Sequence, residues 1–309
     1  MQWTRNYSPN PERDRAYKIA LIVTLIGNLI LVIGKVTATY FTKSAALYSD
    51  TANSLSDLVY SIAMIVGLWI AIQPPDLSHP QGHARFEPVV SLVLALMMTI
   101  AGYEALRNAI GRFISGAQAI QFDLPTIVLL ASAAIKAGMY VIVRKLALQT
   151  DSPSLKVSAQ DNLSDILTTM AALIGIIGSS LIHPYLDPIA GILVALWIFR
   201  IAFKAGKENF SFLTGAGASE EVREKIIQTA RNVSGVKNVH HMMSDYVGPK
   251  LMIDMHINLP NQASLEEVHA VEDAVIEALE ALPEVDRAYV HVEPLEEDNA
   301  DNQKEQGQE

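Results

Sequence analysis

Up to about residue 211, apolar residues gather in six long blocks, at roughly 16–40, 45–73, 87–112, 124–146, 155–182 and 186–205, separated by short polar links. About 20 apolar residues cross the hydrocarbon core of a bilayer as a helix. The pattern therefore predicts six transmembrane helices over 16–211. Two of the blocks are interrupted. The second holds Asn53 and Asp57 in Ser49-Asp50-Thr51-Ala52-Asn53-Ser54-Leu55-Ser56-Asp57, and the fifth holds Asp161 and Asp165 in Ala159-Gln160-Asp161-Asn162-Leu163-Ser164-Asp165. Each pair is spaced i,i+4, which stacks both side chains on one helix face, one turn apart.

Beyond residue 212 the period changes to that of a small soluble domain. Val222, Ile226, Ile227 and Ala230 mark one face of a helix. Leu251, Ile253, Met255 and Ile257 alternate with polar neighbours, as in a half-buried strand. Ser264 offers an N-cap to a helix reaching about Leu282, with Glu266 and Glu267 in its first turn, and Ala288 to Glu293 alternates again. The order αββαβ over 212–295 predicts a compact two-layer α+β domain. Residues 1–15 form a polar N-terminal segment, and 296–309 read as a disordered acidic tail.

Composition agrees with a membrane protein carrying a soluble part. Half of the 309 residues are hydrophobic, 18% are charged, and the mean hydropathy is +0.24. The net charge is −10, of which the tail supplies −5 through six acids against Lys304. An acidic chain without a basic stripe argues against nucleic acid as a partner. The absence of cysteine excludes disulfides and thiolate metal sites, and no cleavable signal peptide is evident. Arg5, Arg13, Arg15 and Lys18, with Arg85, Arg144, Lys145, Lys156, Arg200, Lys204 and Lys207, fall on one side of the six-span topology. Lys43, Arg107 and Arg112 fall on the other, so the positive-inside rule places both termini in the cytoplasm.

Two polar helices facing each other would bring Asn53, Asp57, Asp161 and Asp165 to one point. A structural polar network would explain an Asn, but each charge at bilayer depth costs roughly 2.5–3.5 kcal/mol. Three acids there point to a divalent cation held inside the membrane. Such carboxylates repel one another without metal and hold protons instead, so metal entry would expel protons and metal release would readmit them. Asp50 lies near the same face but towards the outer mouth. No His-Glu-x-x-His, Gly-x-Ser-x-Gly or P-loop motif supports a membrane enzyme.

With these motifs, the chain resembles the cation diffusion facilitator family, over about residues 12 to 294. The resemblance implies a dimeric, proton-coupled exporter of divalent metal with a cytoplasmic domain of the ferredoxin-like, metallochaperone-like kind. It also implies an integral membrane protein, expected in a bacterial inner membrane. Zinc-type members commonly place His at the first position of one or both pairs; here Asn53 and Asp161 stand there, as in the manganese-exporting branch. The chemistry agrees, because imidazole suits zinc while carboxylate and amide oxygens suit harder ions. No permanently bound cofactor is expected. Manganese is the expected substrate and regulatory ligand, with zinc or iron as alternatives. A membrane metal sensor that does not transport is the rival from another class, disfavoured by acids at membrane depth.

Two further groups are candidates. Asp76, His79 and His83 form D-x-x-H-x-x-x-H between the second and third blocks, where the family carries a loop metal site; a His pair steadying the turn is the alternative. His240, His256, His269, His291 and Glu293 match positions that bind regulatory metal in related proteins. His256 lies opposite the apolar row of its strand, and His291 shares a face with Glu293. His241 is expected on the other strand face and is left out, and His183 is read as structural. Lys35 and Lys136 lie within apolar blocks without an evident partner. Gly27, Gly34, Gly67, Gly175 and Gly178 are read as permitting close helix approach.

Overall fold

The computed structural model describes Thr4 and residues 11–42, 45–115, 124–181, 183 and 185–295; the side chains of 42, 45–50, 52, 124–125 and 175–181 are outside the described set. Arg5, Lys43, the tail 296–309, the side chain of Asp50 and the surroundings of Gly175 and Gly178 therefore lie outside it. The chain divides into two compact units, Met1–Phe210 and Ser211–Glu309.

The first unit is built from long helices: α1 Pro11–Thr42, α2 Ala45–Ala71, α3 Phe86–Ile114, α4 Leu124–Thr150, α5 Pro153–Leu181 and α6 Leu186–Leu213. Among the described residues, α1, α2, α3, α4 and α6 are long and apolar enough to cross a membrane. α5 has the same length, 29 residues, as α3 and carries Asp161 and Asp165. Ile22, Ile33, Trp69, Leu96, Val141 and Phe203 are exposed on the bundle's surface. Water would penalise such a surface, and a bilayer solvates it. α1 starts earlier and α6 ends later than the apolar blocks indicate, because a helix continues through polar residues such as Glu12 or Lys207 once its hydrogen-bond ladder is under way.

α1 packs against α2 and α4, α5 against α4 and α3, and α2 against α3. Met64, Leu68, Leu94, Met98, Val143 and Leu155 fill the centre. Two glycines permit the approach: a Cβ at Gly67 would lie 1.9 Å from Val90 Cγ2, and one at Gly27 would lie 2.4 Å from Met139 Sδ. Gly34 has open space around it, which corrects its reading as a helix contact.

Buried Glu87, near the start of α3, ties three parts of the bundle together. It accepts hydrogen bonds from Tyr17 of α1 at 3.0 Å, from Ser154 at 3.1 Å, and from Ser152. Ser152 and Pro153 join α4 to α5: Ser152 Oγ accepts the Leu155 N–H at 3.2 Å as an N-cap, with proline at the next position.

The second unit holds α7 Glu220–Arg231, β1 Asn238–Val247, β2 Lys250–Leu259, α8 Leu265–Glu280 and β3 Val285–Pro294. The sheet order is β1-β2-β3, with β1 antiparallel and β3 parallel to β2. A parallel neighbour needs a crossover, which α8 supplies. Ser264 caps α8 in a capping box with Glu267. Leu251, Ile253, Met255 and Ile257 turn one sheet face onto Ile226 of α7 and Val275 and Leu279 of α8. The opposite face carries Met252, Asp254, His256 and Asn258.

Candidate functional site

One turn of α2 and one turn of α5 converge. Asp57, Asp161 and Asp165 each offer a carboxylate oxygen within 4.8 Å of the others. With Asn53, Tyr60 and Thr168 they line a cleft of about 530 Å³ walled by Met97, Ile100 and Ile198. Asn28 of α1 fixes the α2 turn by donating to the Asp57 carbonyl at 3.3 Å and to Ser61 Oγ at 2.8 Å. The i,i+4 spacing thus places all four sequence-derived oxygen donors on one cavity.

Three further residues, which the sequence does not place at the site, stand at it. Lys136 of α4, 4% exposed, donates to Asp57 Oδ2 at 2.8 Å and lies 2.7 Å from Asp165 Oδ2. Its partners come from two other helices, 79 residues away in the case of Asp57. Lys35 of α1 lines an adjoining pocket with Asn53, Asp57, Lys136 and Asp165. Tyr60, three residues after Asp57 on the same face, is also buried in the cleft wall, and its hydroxyl has no hydrogen-bond partner among the described residues. That i,i+3 spacing was the available signal.

Asp76, His79 and His83 come together in the α2–α3 connection. The Asp76 carboxylate lies 3.5 Å from His79 Nδ1 and 3.6 Å from His83 Nε2, and the two rings are 4.5 Å apart. Asp76 Oδ1 accepts the N–H groups of His79 at 2.6 Å and Ser78 at 2.8 Å. The His79 hydrogen bond is the main reason the Asp76 carboxyl is held below the usual carboxylate range.

In the second unit, His240, His256 and Glu293 offer ligand atoms within 4.8 Å of one another. Glu293 Oε1 is 2.9 Å from His256 Nδ1, and Oε2 is 3.2 Å from His240 Nε2. His291 Nε2 is 3.7 Å from Glu293 Oε1. Asn258 Oδ1 lies 2.9 Å from His240 Nδ1 and steadies that ring. Two expectations are corrected. A bulge between Val239 and His241 inserts one residue into β1, so His241 pairs with His256 and joins this face instead of the opposite one. His269 is not in the cluster: it stands on α8, on the helix-covered side of the sheet, beside Glu272 and Asp273. His183 Nδ1 accepts the Tyr185 N–H at 3.4 Å and stacks on its ring, a turn contact.

Acid-bearing apolar helices followed along the chain by an αββαβ domain define a membrane transporter of cations. The cation efflux transmembrane domain model matches residues 21–214, and the model described as the cytoplasmic domain of cation efflux proteins matches 218–295. The chain belongs to this family, the cation diffusion facilitators, which transport divalent metals and are not enzymes. An uncharacterised transporter of Methanocaldococcus jannaschii is 36% identical over 88% of this chain and 96% of its own. The manganese efflux system protein MneS of Bacillus subtilis is 27% identical over 89% and 94%, and the magnetosome protein MamM of Magnetospirillum gryphiswaldense is 29% identical over 82% and 80%.

Proposed function

We propose that the chain exports manganese from the cytoplasm in exchange for protons, by alternating access, with Asn53, Asp57, Asp161 and Asp165 as transport ligands. Three carboxylates from two helices within 4.8 Å carry this reading. An all-oxygen donor set suits manganese, magnesium or calcium and withholds the imidazole that favours zinc. Similarity to a manganese efflux protein supports the same metal. Protons are the counter-ion because the three emptied carboxylates do not all stay ionised, and at least one takes up a proton.

The second unit acts on the cytoplasmic side as a metal-responsive domain, with the protein a homodimer in the bacterial inner membrane and both termini inside. Its His240, His256 and Glu293 donors, with His291 adjacent, suit a softer ion than the intramembrane set does. Asp76, His79 and His83 form a loop site of the same mixed character. Export and regulation would therefore select metal by different donors.

Metal-dependent proton flux in proteoliposomes, with manganese, zinc, iron and cadmium side by side, tests the reading. Manganese saturates at the lowest concentration with the largest counterflow of protons. Saturation by zinc or iron at lower concentration, with comparable flux, makes the chain an exporter of that metal. Metal binding without any flux makes it a sensor.

A further inference from the structure

A cation of the protein's own already stands among the transport acids. The Lys136 ammonium touches one oxygen of Asp57 and one of Asp165. Those carboxylates belong to α2 and α5, the two helices that a transported ion has to join. Long basic side chains in a membrane ordinarily reach for the interface, and this one is buried against acids instead. Ammonium and cargo therefore compete for the same two groups.

We propose that Lys136 is a tethered counter-cation of the transport site: its ammonium bridges Asp57 and Asp165 while the carrier is empty, yields to the entering dication, and returns when the dication leaves. This rests on the reading of Asp57, Asp161 and Asp165 as transport ligands. The bridge keeps three half-buried acids from facing one another without a cation, a costly arrangement. It also opposes tight retention of cargo, because like charges in a low-dielectric cleft repel strongly.

The displaced ammonium has a place to go. A side pocket of about 120 Å³ adjoins the acids and is lined by Ser132, Thr168 and Thr169. Their hydroxyls donate to the carbonyls of Val128, Ser164 and Asp165. Each keeps lone pairs that accept from an ammonium. Lys35 lines the same pocket, and its like charge favours the ammonium's return to the acids.

Equilibrium manganese binding to the full-length protein in lipid nanodiscs tests this at mildly alkaline pH, where protons compete least. His256→Ala and His83→Ala silence the other two clusters. Lys136→Met tightens the Kd by about tenfold or more and slows manganese turnover in proteoliposomes. Lys136→Gln shifts the Kd in the same direction, so either variant that elutes as the wild type decides the matter. Lys136→Arg, which keeps the charge, brings the Kd back towards wild type. An unchanged or weaker Kd in the Met and Gln variants, where Asp57→Ala has lost binding, overturns the counter-cation. If Asp57→Ala binds manganese as the wild type does, the transport-site reading fails instead.

Discussion

His241 stands opposite His256 in the β1–β2 ladder with their rings 4.8 Å apart, and His240, the bulged residue before it, reaches the same ring at 5.6 Å. Two adjacent strand residues normally point to opposite faces; the bulge puts both imidazoles beside Glu293's partner. Glu293→Gln or His256→Ala is expected to weaken metal binding at this cluster roughly tenfold or more, and His241→Ala to weaken it less. Calorimetric titration of the full-length protein carrying Asp57→Ala, Asp165→Ala and His83→Ala isolates this site. Equal losses from all three substitutions would place His241 among the main donors.

Asp57→Ala and Asp161→Ala are expected to reduce manganese flux in proteoliposomes to the protein-free background while elution stays that of the wild type. Asn53→Ala should retain measurable flux, since it removes one neutral donor. Asn53→His adds an imidazole, and competition assays should move towards zinc by about tenfold. Wild-type flux in either Asp variant would remove these residues from the pathway.

Gly67→Ala places a methyl 1.9 Å from the Val90 side chain, whose branched carbon cannot swing away cheaply. Overpacking of this kind costs about 1–3 kcal/mol, readable as a lower denaturation midpoint in detergent. Val90→Ala in the same chain should recover most of the loss. Gly34→Ala, with open space around it, should leave the midpoint where it is.

The Asp76 carboxyl is held low chiefly by the His79 N–H. A carboxylate whose folded value lies below its unfolded value stabilises the fold fully above the ordinary range, near about 3.9, and loses that contribution progressively as pH falls from there through the depressed folded value. Protection of the Ser78 and His79 amides, corrected for intrinsic rate, should therefore hold from neutral pH down to about 4.5. Asp76→Ala should remove it at every pH. Hydrogen exchange on the α2–α3 connection reads both outcomes.

Apolar block length made the six helices legible, and period-two alternation did the same for β2 and β3, because the bilayer imposes the first pattern and one-sided burial the second. The acid pairs were legible for a related reason: i,i+4 spacing is a local rule that survives folding. Lys136 was seen but not placed, since its partners lie on other helices and no local spacing encodes that meeting. His241 was misplaced because a bulge leaves no mark on alternation. His269 shares residue type with the sheet histidines, and only the side on which α8 covers the sheet separates them. Tyr60 stands i,i+3 from Asp57, but an aromatic within an apolar block carries no local mark of a site.

The hydroxyls gathered on Glu87 bear on how such a carrier moves. Ser152 and Ser154 flank the proline that turns α4 into α5, and Tyr17 belongs to α1, so one side chain fastens α1 and the α4–α5 corner to the foot of α3. Any rocking that opens this end of the bundle must either unfasten that carboxylate all at once or carry α1, α3 and the α4–α5 corner as a single block. The second course leaves α2 and α6 outside that block, and for α2 to travel past α5 it would have to break the Asn28 hydrogen bonds and the Lys136 bridge to Asp57.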